Sequence, residues 1–541
     1  MESSILKEQR EQKWREKQGK KFSLDEIIES CIGGFGGAQL FQVVVVSLGW
    51  VFDVQHTFLT IFTDAQPTWR CTETSSLQIW EITGMGKCTE ESSVCKMDTS
   101  QWEWERGKAA SIISEWDLMC GNSFKAAIPG LLFFVGALAG YIILGPLADT
   151  WLGRKRMLIL SSFMLSVSGI LTAMSPNIWI YSLLRAITGF VKAPIATCCL
   201  VLSTELVGRK WRGLIGFLLF LSGTIGFLSI PALAYLTRLQ FSWRMTYIYL
   251  SLIPLLYSLF LLPCVWESPR WLLLQGRSEE ALQNLKRLAE LNGGSLPENV
   301  RIEDRRAETQ SDSALSRLWG TQWARKRLIL VMAVGAGIGL IYFGLPLGVG
   351  NLGFNLYISV TLNALSELPA GIISTLLVAR ARRRRAILLL TLTSASFCFV
   401  CVFLSGDRTN PADPSSNQTK STAGKYPRLV GELGAFVSAV TAFNVMLIFC
   451  LELFPTTVRN SAMSMFRQAS GVGAIASPVI VFIGRNSPAL SFALSGIAII
   501  LSGFFVLGLP ETKDQPLYDT LEGQEWEEKD LINRSNKPLL S

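Results

Sequence analysis

A carboxylate in the middle of an apolar run must have something to do, and this sequence keeps one at Glu367, in NALSELPAG. In hydrocarbon such a group costs several kcal/mol, so it must face a hydrated cavity or carry a proton. Either way it offers a counter-charge for a cation or a resting place for a proton. The competing reading is a carboxylate satisfied by a neighbouring helix for packing alone. Asp53 is the second such residue, in the outer third of the first apolar run, which also holds Gln55 and the only histidine, His56. Asp53 fits direct contact with a cationic solute as well as it fits a proton site or a helix cap. His56 titrates near neutral pH and is a candidate for proton coupling, although a lone histidine is more often a hydrogen-bonded wall residue.

A quaternary ammonium has no N–H to donate, so it is held best by aromatic faces and diffuse negative charge. Trp50, Phe52, Tyr342, Phe343, Phe354, Tyr357, Phe443 and Phe466 fall near the expected midplane or outer vestibule. Two or three of them are expected to line a site and the rest to be core. A solute that also bears a carboxylate needs a donor or a cation, for which Lys192 and Arg467 are the candidates.

The elements that must position these residues are apolar runs. Of 541 residues 49% are hydrophobic and only 17% are charged, and the mean hydropathy is +0.35. A soluble chain of this length would carry more charge. At about 20 residues per span the runs predict twelve transmembrane helices in one all-α membrane protein. The net charge of +8 sits mostly in short loops and the N-terminal arm, which is an orientation signal and gives no hint of nucleic acid. GPLADTWLGRKR, Gly145 to Arg156, joins two runs, and Asp149, Arg154, Lys155 and Arg156 place that joint in water on the cytoplasmic side. RARRRR, Arg380 to Arg385, is a second cytoplasmic marker.

Five regions follow. Residues 1–39 form a basic cytoplasmic arm without the apolar core of a signal peptide. Residues 40–265 hold a first bundle of six helices, with a large extracytoplasmic loop at 64–124. That loop carries ten acidic residues against five basic ones, and Cys71, Cys88, Cys95 and Cys120 form an even set that predicts two disulfides of open pairing. The remaining cysteines read as packing residues. Residues 266–327 are a cytoplasmic linker in which SEEALQNLKRLAEL predicts an amphipathic helix with Ser278 as N-cap and a stop at Gly293. Residues 328–509 hold a second bundle, and 510–541 a cytoplasmic tail. The sequon at Asn417 falls outside the cytosol by span counting and is a candidate glycosylation site.

The two bundles echo one another. TELVGRKWRG (Thr204 to Gly213) matches LELFPTTVRN (Leu451 to Asn460), so Glu205/Arg212 and Glu452/Arg459 recur at the same spacing. WESPRW (Trp266 to Trp271) matches PETKDQ (Pro510 to Gln515) at a nearly equal offset. Two pseudo-symmetric six-helix halves, with a site at their interface, are what this implies.

GPLADTWLGRKR resembles the loop between helices 2 and 3 of the major facilitator superfamily. With SEWDLMCGNSFKA, TELVGRKWRG, WESPRWLL, SELPAG and ELFPTTVRN, the chain resembles the organic cation/anion/carnitine branch of that superfamily over almost its whole length. SLDEIIESCIGGFG, WVFDVQHTFLTIFTDAQPTWRC and FRQASGVGA are most similar to the plant organic cation/carnitine transporters. The resemblance implies a major facilitator fold and a proton- or potential-driven carrier of quaternary ammonium compounds and other organic cations. It places an acidic residue at the position of Glu367. It also aligns the charge-selecting position of the eleventh span with Gly471, one turn after Arg467. Asp149, Arg154, Glu205, Arg212, Glu452 and Arg459 would then be gating residues whose salt bridges close the cytoplasmic end, with Arg185 pairing to one of them or to a polar group in the first span.

Enzymatic readings fare badly. One histidine excludes a His-rich membrane metal centre, and no G-x-x-x-x-G-K-[ST] is present to support an ATP engine. No cofactor or metal is expected. The partners expected are a small organic cation or zwitterion, coupled protons and the lipid bilayer, and the expected location is the plasma membrane, with the vacuolar membrane as the alternative. Two other functions remain open: an organic anion or sugar-type carrier of the same fold, and a solute receptor that does not transport.

Overall fold

The structure is a computed structural model and describes residues 21–22, 24–30, 32–72, 94–98, 100–237, 242–294, 296, 301–302, 311–406, 425–455, 457–513, 515 and 521–526. Among these residues twelve helices are long and apolar enough to cross a membrane. They are α1 (Gly37–Thr63), α2 (Cys120–Leu152), α3 (Arg154–Ala173), α4 (Ile178–Glu205), α5 (Arg209–Thr237) and α6 (Trp243–Cys264), then α7 (Gln322–Leu352), α8 (Leu356–Arg380), α9 (Arg383–Ser405), α10 (Tyr426–Leu453), α11 (Arg459–Asn486) and α12 (Pro488–Val506).

The helices form two bundles with one wiring. In the first, α2 packs on α4, α3 on α4 and α6, and α1 on α4 and α5. Adding six to each label gives the packing of the second: α8 on α10, α9 on α10 and α12, and α7 on α10 and α11. The halves meet through α2 against α11 and α5 against α8. Small residues allow the closest crossings, because backbones can then approach to van der Waals contact. A Cβ on Gly136 would lie 2.0 Å from the Ala186 carbonyl oxygen, and one on Gly140 2.2 Å from that of Phe190. The GxxxG of α2 is therefore its seam with α4.

The two ends of the molecule differ. At one end the strands Trp69–Cys71 and Trp102–Trp104 pair antiparallel, and Cys95 is bonded to Cys120. Cys71 is also in a disulfide, while Cys88 and Asn417 lie outside the described residues. Cys198, Cys199, Cys398, Cys401 and Cys450 are free and buried, as packing residues should be, whereas Cys264 is exposed.

At the other, basic end, the helix Leu24–Ser30 packs Ile27 and Ile28 against Leu285, Leu288 and Ala289 of the helix Ser278–Leu291. That second helix begins at Ser278 itself, with Arg277 in the cap position and no side-chain cap. The expectation of Ser278 as N-cap is corrected by one residue. Asp25 binds the short helix to its surroundings through Arg212 at 2.6 Å, Arg209 at 3.1 Å and Arg270.

Candidate functional site

Glu367 lies in α8 on the side that meets α5, so it stands at the junction of the two halves and is 4% exposed. Its carboxylate accepts the Thr224 hydroxyl of α5 at 2.8 Å and the Tyr342 hydroxyl of α7 at 3.4 Å. Both partners are neutral, and no ion pair to Glu367 forms among the described residues. A buried carboxylate held only by hydroxyls keeps its attraction for a cation.

The rings expected from sequence separate into groups. Tyr342 stacks on Phe443 at 5.4 Å between centroids, and Phe443 lies 5.7 Å from Phe466, next in sequence to Arg467. This ring path runs away from Glu367. Phe343 belongs to a second layer that crosses the halves: it lies 5.2 Å from Phe134 and 6.1 Å from Phe58, which stacks on Phe227 at 4.5 Å. Phe62 packs at 5.3 Å on Tyr357, nearer the loop-bearing end. Trp50 lies against Gly223 of α5. Phe52 packs on Tyr257 inside the first bundle, away from the junction.

The charged candidates also sort themselves. Asp53 and Lys192 form a buried ion pair at 3.2 Å, with Lys192 also donating to Thr57 at 2.6 Å. Lys192, expected to hold a solute carboxylate, already has its counter-ion in α1. Tyr141 of α2 lies within electrostatic reach of Lys192, Asp53 and Arg467, which brings α1, α2, α4 and α11 to one polar region. Arg467 forms no ion pair among the described residues. Gln55 donates to Ser229 of α5 at 2.7 Å. His56 is fully buried, with its ring beside Gly169 of α3 and Ser251 of α6, so it faces the interior of the first bundle.

A cavity of about 920 Å³ opens between the halves at the loop-bearing end. Thr57, Phe133, Phe134, Phe354, Tyr357 and Arg485 are among its lining residues, and the segment Asp64–Trp69 contributes to its rim. Arg185 lines it too. Its guanidinium donates to the His56 carbonyl at 3.1 Å and lies 4.1 Å over the Phe133 ring. Arg185 thus meets the first span, as one of its two expected pairings had it, but at the cavity end and through the backbone. Arg485 of α11 donates to the Asp64 carbonyl at 2.9 Å and so ties the halves together at that end.

At the basic end the expected gating residues pair within their own halves. Asp149 pairs with Arg154 at 3.1 Å, Arg212 with Asp25, and Glu205 accepts from Ser268. In the second half Glu452 pairs with Arg383 at 3.1 Å and accepts from Thr512 at 2.5 Å, while Arg459 donates to the Phe454 carbonyl at 3.3 Å. The duplication reaches this level of detail. Glu267 accepts the Lys155 amide at the start of α3, and Glu511 accepts the Arg383 and Arg384 amides at the start of α9. Carboxylates at helix N-termini satisfy amides that have no partner within the helix.

Thr224, Tyr141 and the Phe58–Phe227 pair are not legible as site residues from sequence, since hydroxyls and rings are common in membrane helices. Glu432 of α10 is different. The rule that marks Glu367, an acidic residue within an apolar run, marks it equally.

Comparison with known proteins agrees with this architecture. The description "Sugar (and other) transporter" matches residues 74–522. Organic cation/carnitine transporter 2 of Arabidopsis thaliana is 42% identical over 94% of this chain and 94% of its own length. Solute carrier family 22 member 3 of Rattus norvegicus is 30% identical over 77% of this chain and 72% of its own. Among solved structures, a D-xylose-proton symporter superposes with a TM-score of 0.59 at 16% identity, over 88% of this chain and 99% of that one, which establishes the fold. With twelve spanning helices in two matched bundles, the chain belongs to the sugar (and other) transporter family of the major facilitator superfamily, on the branch of the organic cation/carnitine transporters.

Proposed function

We propose that this transporter carries organic cations and carnitine-like quaternary ammonium compounds by alternating access, driven by protons or the membrane potential. The observation that carries this reading is Glu367: a buried carboxylate at the junction of the halves whose only hydrogen-bond partners among the described residues are the hydroxyls of Thr224 and Tyr342. A quaternary ammonium seated there would also meet the Tyr342 ring, which is backed by Phe443. Arg467, without an acidic partner among the described residues, suits the carboxylate of a zwitterion, since Lys192 is neutralised by Asp53. The large cavity lies on the extracytoplasmic side in this reading, and the layer of Phe58, Phe134, Phe227 and Phe343 separates it from Glu367. Rocking of the halves about α2–α11 and α5–α8 would part that layer and bring the site to one side at a time. The plasma membrane is the proposed location.

An uptake panel in proteoliposomes tests the proposal with carnitine, tetraethylammonium, an aromatic carboxylate and a hexose. Accumulation of the first two is expected. Accumulation of the carboxylate or the hexose alone would overturn the cation reading in favour of an anion or sugar carrier. Binding of a solute with no accumulation would make the chain a receptor.

A further inference from the structure

A second buried carboxylate lies inside the second bundle, apart from the junction of the halves. Glu432 of α10 is 1% exposed, and Asn363 and Ser359 of α8 are fully buried. The Asn363 amide nitrogen donates to Glu432 Oε2 at 3.1 Å and to the Ser359 carbonyl at 3.1 Å, which uses both of its protons. Glu432 Oε1 and Asn363 Oδ1 have no hydrogen bond among the described residues. Both are acceptors, so neither can satisfy the other while the carboxyl is ionised.

Among the described residues the groups around this pair supply no counter-ion. From α9 come Cys398 and Cys401. From α8 come Asn363 and Ser359, with Glu367 one turn further along. Arg428, one turn back on α10, directs its guanidinium to the Leu404 carbonyl. An ionised Glu432 would be a buried anion held by one amide N–H, an arrangement that costs several kcal/mol. One proton on Oε1 repairs it, because the hydroxyl can then donate to Asn363 Oδ1. The side chains would be joined by two antiparallel hydrogen bonds, amide to acid and acid to amide.

We propose that Glu432 is a proton-binding site of this carrier, occupied in the conformation described here and paired with Asn363. The inference rests on the proton-driven form of the function proposed above. Asn363 and Glu367 stand one turn apart on α8, the helix that meets the other half. A proton on Glu432 leaves a single negative charge on that stretch, at Glu367, where the solute cation is received. Loss of the proton puts a second carboxylate charge in the second bundle, on the partner of Asn363, which stands one turn from Glu367, so proton and solute occupancy are linked through α8.

The test uses the full chain in lipid vesicles and two readouts. In the first, Glu432→Gln, which mimics the protonated acid and supplies an N–H for Asn363 Oδ1, is compared with wild type for tetraethylammonium exchange without gradients and for accumulation driven by an imposed pH step. Exchange is expected to persist, while accumulation falls to the level seen without the step. Undiminished pH-driven accumulation overturns the coupling. In the second, infrared spectra at neutral pH are expected to lose a protonated carboxyl carbonyl band in Glu432→Gln. Identical spectra overturn the proposal. This readout needs no solute, so it still decides the matter if the vesicles carry no cation and the functional reading itself fails. Should Glu432→Gln not fold, Asn363→Ser is read instead: a shift of the same band supports the pairing, and an unmoved band refutes it.

Discussion

Replacing Glu367 by glutamine removes one charge and almost nothing else. The amide oxygen can still accept the Thr224 hydroxyl, and no cation is stranded, because none is paired to Glu367 among the described residues. The fold should therefore hold, with surface abundance and melting temperature close to wild type. Binding should not. A quaternary nitrogen in contact with the carboxylate sits about 5 Å from its charge, and two unit charges at that distance interact by about 3 kcal/mol at an effective dielectric near 20. That corresponds to roughly a hundredfold weaker binding. Desolvation of both ions offsets part of it, so a loss of between about tenfold and a hundredfold is expected. Equilibrium binding of labelled tetraethylammonium to purified protein measures this directly, with melting temperature as the control for folding. If Glu367→Gln binds the cation as tightly as wild type, the counter-charge argument is wrong, whatever the uptake rate.

The other ionised groups give contrasting expectations. Asp53→Asn strands Lys192 in the first bundle and should cost about 3–5 kcal/mol of stability, whereas Asp53→Asn with Lys192→Met should recover most of it; thermal denaturation of wild type, both single variants and the double variant checks this, and full additivity would refute the pairing. For Asp25, burial alone would raise the carboxyl, but Arg270, Arg212 and Arg209 outweigh it and hold it below its ordinary value of 3.8. A depressed folded-state value means that its contribution is present above pH 3.8 and is lost as pH falls through that lower value. Hydrogen exchange in Leu24–Ser30 should thus be slow and constant at neutral pH, rise only in strong acid, and be fast at neutral pH in Asp25→Asn. Equal exchange in the two proteins at neutral pH would show that the apolar contacts of Ile27 and Ile28 hold the helix unaided.

The number of spanning helices, the repeat and the presence of carboxylates that demand an explanation are all legible in the order of residues alone. These are one-dimensional consequences of the bilayer: about 20 apolar residues make a span, and an acidic residue within one stands out wherever its helix ends up. Which acid meets which base is a different matter. Asp53 and Glu367 look alike along the chain, yet one faces Lys192 across the first bundle and the other faces hydroxyls across the junction of the halves. His56 lies one turn from Asp53 and points into the bundle instead. The rotation of each helix about its axis is set by packing with several distant segments at once, at seams such as Gly136 against Ala186, and a hydropathy pattern this apolar on every face leaves that rotation open. Helix packing therefore sets which buried charges are already neutralised and which are left for a solute or a proton.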